Sequence, residues 1–182
     1  MRVIIGGIPG VGKTTVLNEL SKAGFRVENY GDVMLKIATE KGYAKSRDEM
    51  RKLPIEIQTE IQTGAAMYFS KIKDVIIDTH FSIKTPSGYL PGLPPHVLKA
   101  INPDLLVSIE ADALEIFERR KKDLQRSRDE ESQSEIRMHL EVNRTFGIAY
   151  ASSMGIPFMI VNNENNKPEE AAKIIMEVLK RT

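Results

Sequence analysis

The segment Gly7-Ile8-Pro9-Gly10-Val11-Gly12-Lys13-Thr14 joins a short apolar run, Arg2 to Ile5, to a stretch of helix-forming residues. Its pattern, Gly-x-x-x-x-Gly-Lys-Thr, is that of the Walker A phosphate-binding loop. A strand before the loop and a helix after it are the context in which this motif binds phosphate. The segment therefore predicts a P-loop at the first strand–helix connection of an α/β fold.

The residue types of this loop suit the binding of a nucleoside triphosphate. Glycine lets backbone N–H groups surround phosphate oxygens without a clash from Cβ, and the start of the helix adds the positive end of its dipole. We expect Lys13 to reach the β and γ phosphates of ATP and the Thr14 hydroxyl to ligate Mg²⁺. The predicted ATP-binding residues are Gly7, Ile8, Pro9, Gly10, Val11, Gly12, Lys13, Thr14 and Thr15. The alternative, a glycine-rich turn with an exposed lysine, is disfavoured by the complete motif.

Five short apolar runs predict buried strands, and helical patterns lie between them. The predicted strands span residues 2–5, 25–29, 75–78, 105–109 and 158–161. Capping-box signatures begin at Asp112 and Ser132, Gly155 is a predicted C-cap, and Pro168 is expected to open the last helix. The alternation predicts one P-loop NTPase domain, residues 1–182, with a five-stranded, mostly parallel sheet and helices on both faces.

Composition limits the classes of partner. Lys plus Arg total 26 against 25 for Asp plus Glu, so a net charge of +1 gives no global field for nucleic acid or an anionic membrane. The chain contains no cysteine, which excludes disulfides and Cys-based zinc sites. The apolar run at the N-terminus is too short for a signal peptide or a membrane span. We expect a soluble, cytoplasmic protein.

A carboxylate ends the third predicted strand, Val75-Ile76-Ile77-Asp78. Ligands of open α/β sheets bind beyond the carboxyl ends of the strands. We expect Asp78 to hold a Mg²⁺-bound water opposite Thr14, as Walker B acids do. The alternative is an acid that only caps a loop.

Two connections are longer than the fold requires, and such excursions usually carry function. They are the helical stretch from Asp32 to Ile72 and the charged segment from Lys121 to Glu131. P-loops serve GTPases, ATPases and small-molecule kinases, so Walker A alone does not identify the class. The chain has no guanine-reading Asn-Lys-x-Asp sequence. A small kinase is therefore favoured.

Several further motifs carry a family resemblance over nearly the whole chain. Beside the P-loop they are Asn29–Asp32, Arg47–Leu53, Ile77–His80, Thr85–Pro94 and Ile101–Pro103. In these segments the sequence resembles the archaeal adenylate kinases. The resemblance implies transfer of phosphate from MgATP to AMP to give two ADP, a helical AMP-binding insert at about residues 31–72, a short lid at about 121–132, and a homotrimer.

Arginines cluster in the predicted lid and just before it. Phosphoryl transfer requires positioning and cationic stabilisation of the transferring group, and forked guanidinium donors suit phosphate oxygens. We expect Arg119, Arg126 and Arg128 to act with Lys13 as catalytic residues. The alternative is a solvated helix end that pairs with the acids at 129–131.

The resemblance also assigns residues to the AMP site, which are Asp32, Arg51, His80, Thr85, Ser87 and Gly88. Arg51 resembles the family's AMP-phosphate arginine, although it could instead pair with Asp48 or Glu49 on a helix surface. His80 follows Asp78 at the sheet edge, where it could touch the AMP phosphate or serve a structural role. The turn from Thr85 could likewise be an ordinary surface turn.

Two other functions are compatible with a P-loop. One is a kinase of a different small acceptor, such as CMP, UMP or shikimate, because the insert rather than the P-loop selects the acceptor. The other is an ATP-dependent RNA-binding or assembly ATPase. Near-neutral charge and the lack of an aromatic RNA-reading motif argue against the second.

Overall fold

The computed structural model describes residues 1–122, 131–164 and 167–181. Strands and helices alternate along these residues, as the sequence predicts. In chain order they are β1 Arg2–Gly6, α1 Lys13–Lys22, β2 Val27–Asn29, α2 Tyr30–Glu40, α3 Arg47–Arg51, α4 Ile55–Ser70, β3 Val75–Asp78, β4 Ser82–Thr85, β5 Gly88–Pro91, α5 Pro95–Ile101, β6 Leu105–Glu110, α6 Ala113–Lys122, α7 Gln133–Met154, β7 Phe158–Asn162 and α8 Pro168–Leu179.

The central sheet has five strands in the order β2-β3-β1-β6-β7. Each neighbouring pair is parallel, with Ile5 opposite Asp78 and Asn29 opposite Asp78 in the register. The prediction of a five-stranded P-loop fold is confirmed, and β2 begins at Val27 rather than at Phe25. Since all five strands run the same way, their carboxyl ends form one edge, which carries the P-loop.

Two apolar cores cover the faces of this sheet. Ile5 belongs to the core beneath α1, α6, α8 and the first half of α7, whereas Ile4 belongs to the core beneath α4, α5 and the second half of α7. The alternation of neighbours between faces is the period of a β-strand. Burial on both faces explains why the central strands read as continuous apolar runs.

The predicted helix ends agree with the structure. Ser132 and Glu135 form a reciprocal capping box at the start of α7, and Gly155 ends this helix with φ of 65°. The Asp112 carboxylate accepts a hydrogen bond from the Leu114 N–H at 2.8 Å. Pro168 is the first residue of α8. These caps satisfy backbone groups that a helix end leaves unpaired.

A β-hairpin, β4–β5, lies where the sequence suggested only a turn. It pairs Ser82 with Pro91 and Thr85 with Gly88 in an antiparallel ladder. The Tyr150 hydroxyl of α7 donates to the Phe81 carbonyl at 2.8 Å and so anchors the hairpin base. Strands of four residues with mostly exposed side chains give no clear apolar period, which is why the pattern missed them.

Helices α2, α3 and α4 lie between β2 and β3, in the segment where an AMP-binding insert is expected, and we call them the insert. They share a small core of their own, which consists of Ala38, Ala44, Met50 and Ile61. The lid predicted at 121–132 falls mainly outside the described residues, so its boundaries stay a prediction. Among the described residues, no helix is both long enough and apolar enough to cross a lipid bilayer.

His139 of α7 is a buried titratable group, 4% exposed, that packs on the Tyr89 ring. Neither of its ring nitrogens has a hydrogen-bond partner among the described residues. Burial lowers the pKa of His139 to about 4. The nearby Glu131 carboxylate opposes this shift, whereas the cations Arg120 and Lys84 lower the pKa further. The folded protein therefore keeps this ring neutral at neutral pH.

This burial predicts a pH dependence of stability. In the unfolded chain His139 takes up a proton near its ordinary pKa of 6.5, whereas the folded state resists protonation down to about pH 4. The unfolded state binds more protons in this window, so the free energy of unfolding should fall by about 3 kcal/mol as pH drops through it. In urea denaturation, the free energy of unfolding of His139→Gln should fall less over this pH range than that of the parent protein. The control variant His96→Gln, at an exposed position, should show the same fall as the parent. Equal pH dependence in both variants would contradict the assignment.

Candidate active site

The P-loop presents backbone donors on its inner side. Gly10 and Gly12 adopt positive φ of 91° and 81°, a conformation that side chains with Cβ rarely accept. Among the described residues, no acceptor meets the N–H groups of Gly10, Gly12, Lys13 and Thr14. Four unpaired donors at a helix N-terminus form an anion-binding site.

The carbonyl of Val11 is held from outside the loop. Asn163, which follows β7, donates to it from Nδ2 at 2.8 Å, and Arg119 of α6 donates from Nη1 at 3.0 Å. The Arg119 guanidinium also reaches the Asn163 carbonyl and the Glu115 carboxylate at 3.0 Å. In this structure Arg119 therefore helps to fix the conformation of the P-loop through the Val11 carbonyl, on the outer side of the loop. Its predicted contact with the transferring group stays a prediction.

His80 holds a second carbonyl of the loop. Its Nδ1 lies 2.9 Å from the Gly7 oxygen, and since a carbonyl only accepts, Nδ1 must carry the proton. Burial and the Lys13 ammonium lower the pKa of His80, which keeps the ring neutral. A neutral ring with Nδ1 protonated offers only an acceptor at Nε2. This arrangement favours the structural role of His80 over a hydrogen bond to the AMP phosphate.

A third carbonyl, that of Pro9, accepts two hydrogen bonds from Arg120. The donors are Nε at 3.0 Å and Nη2 at 2.6 Å. The third nitrogen, Nη1, pairs with Glu131. The sequence analysis did not single out Arg120 or Asn163, since nothing in the local pattern tells which residues of a distant segment meet the loop.

Lys13 and Asp78 form an ion pair at the centre of the site. The side chains are only 11% and 16% exposed. Asn29 steadies the carboxylate by donating from Nδ2 to its second oxygen at 2.7 Å. The parallel register, which sets Asn29 and Ile5 beside Asp78, brings the three residues to one edge. Asn29 could have been found by the rule that ligands bind at the carboxyl ends of strands.

The donor set near this pair fits Mg²⁺. Asp78 supplies a carboxylate and Thr14 an exposed hydroxyl at the start of α1. Mg²⁺ in phosphoryl-transfer sites is held by one or two protein oxygens, substrate phosphates and several waters. Among the described residues, no cluster of three or more acidic, histidine or cysteine side chains forms a complete metal cage.

A cavity of about 230 Å³ adjoins the Lys13–Asp78 pair and separates the insert from the sheet edge. The insert contributes Arg47, Arg51, Gln58 and Gln62, and the sheet edge contributes Asp78 and His80. We call this space the acceptor cavity. The two guanidinium groups and two carboxamides that the insert contributes suit an anionic ligand with a polar base.

Arg51 lies at the mouth of the acceptor cavity, and its side chain is 72% exposed. It pairs with Asp48 at 3.0 Å, which is the helix-surface contact considered as the alternative. Arg47 stands one helical turn earlier and donates to the Asn29 side-chain oxygen at 3.0 Å. The i, i+4 spacing of the two arginines puts them on one helix face. That spacing was the signal that could have identified Arg47.

Other residues predicted for AMP lie elsewhere. The exposed Asp32 carboxylate pairs with Arg47 but faces a groove beside β2 rather than the acceptor cavity. Thr85, Ser87 and Gly88 form the turn of the hairpin, where the Thr85 hydroxyl donates to the Gly88 carbonyl at 3.0 Å. None of these four residues lines the acceptor cavity. Their assignment to AMP gains no support from the geometry. Arg126 and Arg128 lie outside the described residues.

Comparison with known proteins identifies the family. A family model described as an AAA domain matches residues 6–137. The chain is 48% identical to the adenylate kinase of Thermoplasma acidophilum over 180 residues, which cover 98% of both chains. It is 49% identical to the adenylate kinase of Methanothermobacter thermautotrophicus over 97% of this chain and 98% of that one.

The chain belongs to the adenylate kinase family. The resemblance to the archaeal members and the expectation of a phosphotransferase are thus confirmed. Among solved structures, a shikimate kinase from Acinetobacter baumannii matches with a TM-score of 0.65 and 16% identity, covering 100% of this chain and 94% of that one. At such low identity the match supports the P-loop kinase fold alone.

The P-loop of this kinase has no room for a side chain at Gly12. A Cβ there would lie 2.3 Å from Nδ2 of the buried Asn163, and φ is positive. We expect Gly12→Ala to displace Asn163 from the Val11 carbonyl and to weaken binding of an ATP analogue at least tenfold, measured by calorimetry. Gly24→Ala is the matched control, since φ is 91° there and nothing lies within 4 Å of the added Cβ. It should cost only about 1 kcal/mol of stability. Equal affinity of Gly12→Ala and Gly24→Ala for the ATP analogue would contradict the assignment of Gly12 to the phosphate-binding loop.

Proposed function

We propose that this protein transfers the γ-phosphoryl group of MgATP to AMP and produces two molecules of ADP. The observation that carries the proposal is the position of Asp78, which pairs with the P-loop lysine and also lines the acceptor cavity. A phosphate donor site and a cationic acceptor site thus adjoin at one point. The names of relatives nearly half identical along their whole length support AMP as the acceptor.

The chemistry follows from the arrangement. The free N–H groups of the P-loop bind the β and γ phosphates, and Lys13 exchanges its contact with Asp78 for phosphate oxygens. The insert arginines hold the AMP phosphate so that its oxygen faces the γ phosphorus. The bond from this oxygen to phosphorus forms while the bond to the β–γ bridging oxygen breaks, and the β phosphate leaves as ADP. The protein contributes positioning and charge stabilisation, with no covalent intermediate.

Mg²⁺ supplies charge neutralisation at the β and γ phosphates when the nucleotide is bound. Thr14 would ligate it directly and Asp78 through a water molecule. Release of Asp78 from Lys13 makes the carboxylate available for that role. Breaking the Lys13–Asp78 ion pair also frees the Lys13 ammonium. One event thus makes the lysine available to phosphate and the carboxylate available to the metal-bound water.

Three further features belong to the proposal. Arg126 and Arg128 of the predicted lid would join Arg119 in stabilising charge on the transferring group. The resemblance supports a homotrimer, which light scattering would test. The enzyme would work in the cytoplasm, with ATP, AMP and ADP as its nucleotide partners.

The purified protein should convert MgADP into ATP and AMP, because this reverse reaction requires both nucleotide sites at once. Lys13→Ala should lower the rate by at least a thousandfold, since it removes the cation at the transferring phosphate. Lys22→Ala is the control, because this exposed lysine lies at the far end of α1. Chromatography of the nucleotides measures the outcome. A folded protein that leaves ADP unchanged, or that prefers CMP, UMP or shikimate in an acceptor panel, would refute the proposal.

Arg51 is the predicted phosphate contact on the acceptor side. A charged hydrogen bond contributes about 1.5–3 kcal/mol, so Arg51→Ala should raise the KM for AMP by about ten- to a hundredfold. The KM for ATP should stay unchanged. Lys52→Ala, at the adjacent exposed position, is the matched control. If Arg47→Ala raises the KM for AMP while Arg51→Ala does not, Arg47 rather than Arg51 is the phosphate ligand.

A further inference from the structure

Arg120 is a cation of α6 for which the proposed reaction assigns no role. Its side chain is 11% exposed. Three of its nitrogens are engaged, two by the Pro9 carbonyl and one by Glu131. A guanidinium whose donors are already directed at a backbone oxygen and a carboxylate is poorly placed to meet a phosphate as well.

Two donors on one carbonyl oxygen fix the direction of that carbonyl. The chain contains no cis peptide bonds among its described residues, so the N–H of Gly10 points away from the Pro9 oxygen. Arg120 therefore sets the orientation of this N–H on the side of the loop opposite to itself. The Gly10 N–H is one of the four that meet no acceptor among the described residues.

Gly10 and Arg120 are fitted to each other. A Cβ on Gly10 would lie 3.1 Å from Cγ and Nε of Arg120, and φ of Gly10 is 91°. The stem of Arg120 thus covers the outer surface of the loop at this residue. A side chain at residue 10 would therefore displace Arg120.

Glu131 holds Arg120 in this position. Its carboxylate pairs with Arg120 through Oε2 and accepts from the Lys84 ammonium through Oε1 at 2.7 Å. Lys84 also lies 3.4 Å from Glu135. Burial alone would raise the pKa of Glu131, but hydrogen bonds from Lys84 and Arg120 bring it below its ordinary value. The carboxylate remains charged at neutral pH, as the ion pair requires.

We propose that Arg120 is a positioning residue of the ATP site, which aims the Gly10 N–H at the nucleotide phosphates while Glu131 fixes Arg120 against the Pro9 carbonyl. The proposal rests on the ATP-binding role of the P-loop in the proposed function. It assigns Arg120 no contact with the transferring group. Removal of Arg120 leaves the peptide free to rotate, and one phosphate donor is lost or misaligned.

The test is nucleotide binding, measured by calorimetry with an MgATP analogue and, separately, with AMP. Arg120→Ala should raise the Kd of the ATP analogue about tenfold and leave that of AMP unchanged. Arg120→Lys should recover part of the loss, because a lysine can donate to the Pro9 carbonyl with one N–H. Lys99→Ala, an exposed cation on α5, is the control and should behave as the parent protein. Calorimetry measures the Kd without any phosphoryl transfer, so a failure of this proposal can be distinguished from a failure of the proposed function in the ADP assay.

The Gly10 amide gives a direct signal. In ¹H–¹⁵N spectra of the parent protein its resonance should move downfield when the ATP analogue binds, and in Arg120→Ala this movement should be reduced while the other resonances show an intact fold. Glu131→Gln should weaken ATP-analogue binding about threefold alone and have no further effect in the Arg120→Ala background. An unchanged Kd with a lowered kcat in Arg120→Ala would overturn the proposal and place Arg120 on the transferring group. An additive loss in the double variant would overturn the link to Glu131.

Discussion

Backbone carbonyls of the P-loop are hydrogen-bonded on its outer side, and this constraint shapes the donor site. The oxygens of Gly7, Pro9 and Val11 accept from side chains that belong to other elements. A peptide whose carbonyl is held outside presents its N–H on the opposite side. The loop is therefore prepared for an anion before any ligand arrives, and little reorganisation is left for the binding step.

The central ion pair couples the two halves of the site. Lys13 and Asp78 neutralise each other within a largely buried environment, where an unpaired charge would be costly. In the proposed reaction, a triphosphate would offer the lysine phosphate oxygens, and the hydrated Mg²⁺ that accompanies it would offer the carboxylate a cation. Each charge would then keep a partner of opposite sign. Asp78 also borders the acceptor cavity, so the geometry of the donor side fixes one wall of the acceptor side.

The features that the sequence predicted well are local. The five strands, the P-loop, the capping box at Ser132 and the C-cap at Gly155 each depend on residues within a few positions. The misses depend on distant contacts. Asn163 meets Val11 across 152 positions, and Arg119 meets it across 108. No local period encodes such pairings, so the sequence could not show that Asn163 and Arg119 both donate to the Val11 carbonyl.

The insert arginines lie on α3, a helix of five residues in which Met50 is the buried one. Whereas α4 and the start of α2 also pack into the core on one face of the sheet, Met50 of α3 belongs to the small cluster of four buried residues. Local stability follows the amount of buried apolar contact, so we expect α3 to be less stable than the central strands. Arg47 and Arg51 also pair with the exposed carboxylates of Asp32 and Asp48, and such surface pairs contribute little to stability. In the proposed reaction, a weakly held helix would let these arginines rearrange around an anionic acceptor at low cost, while the P-loop is held at three carbonyls.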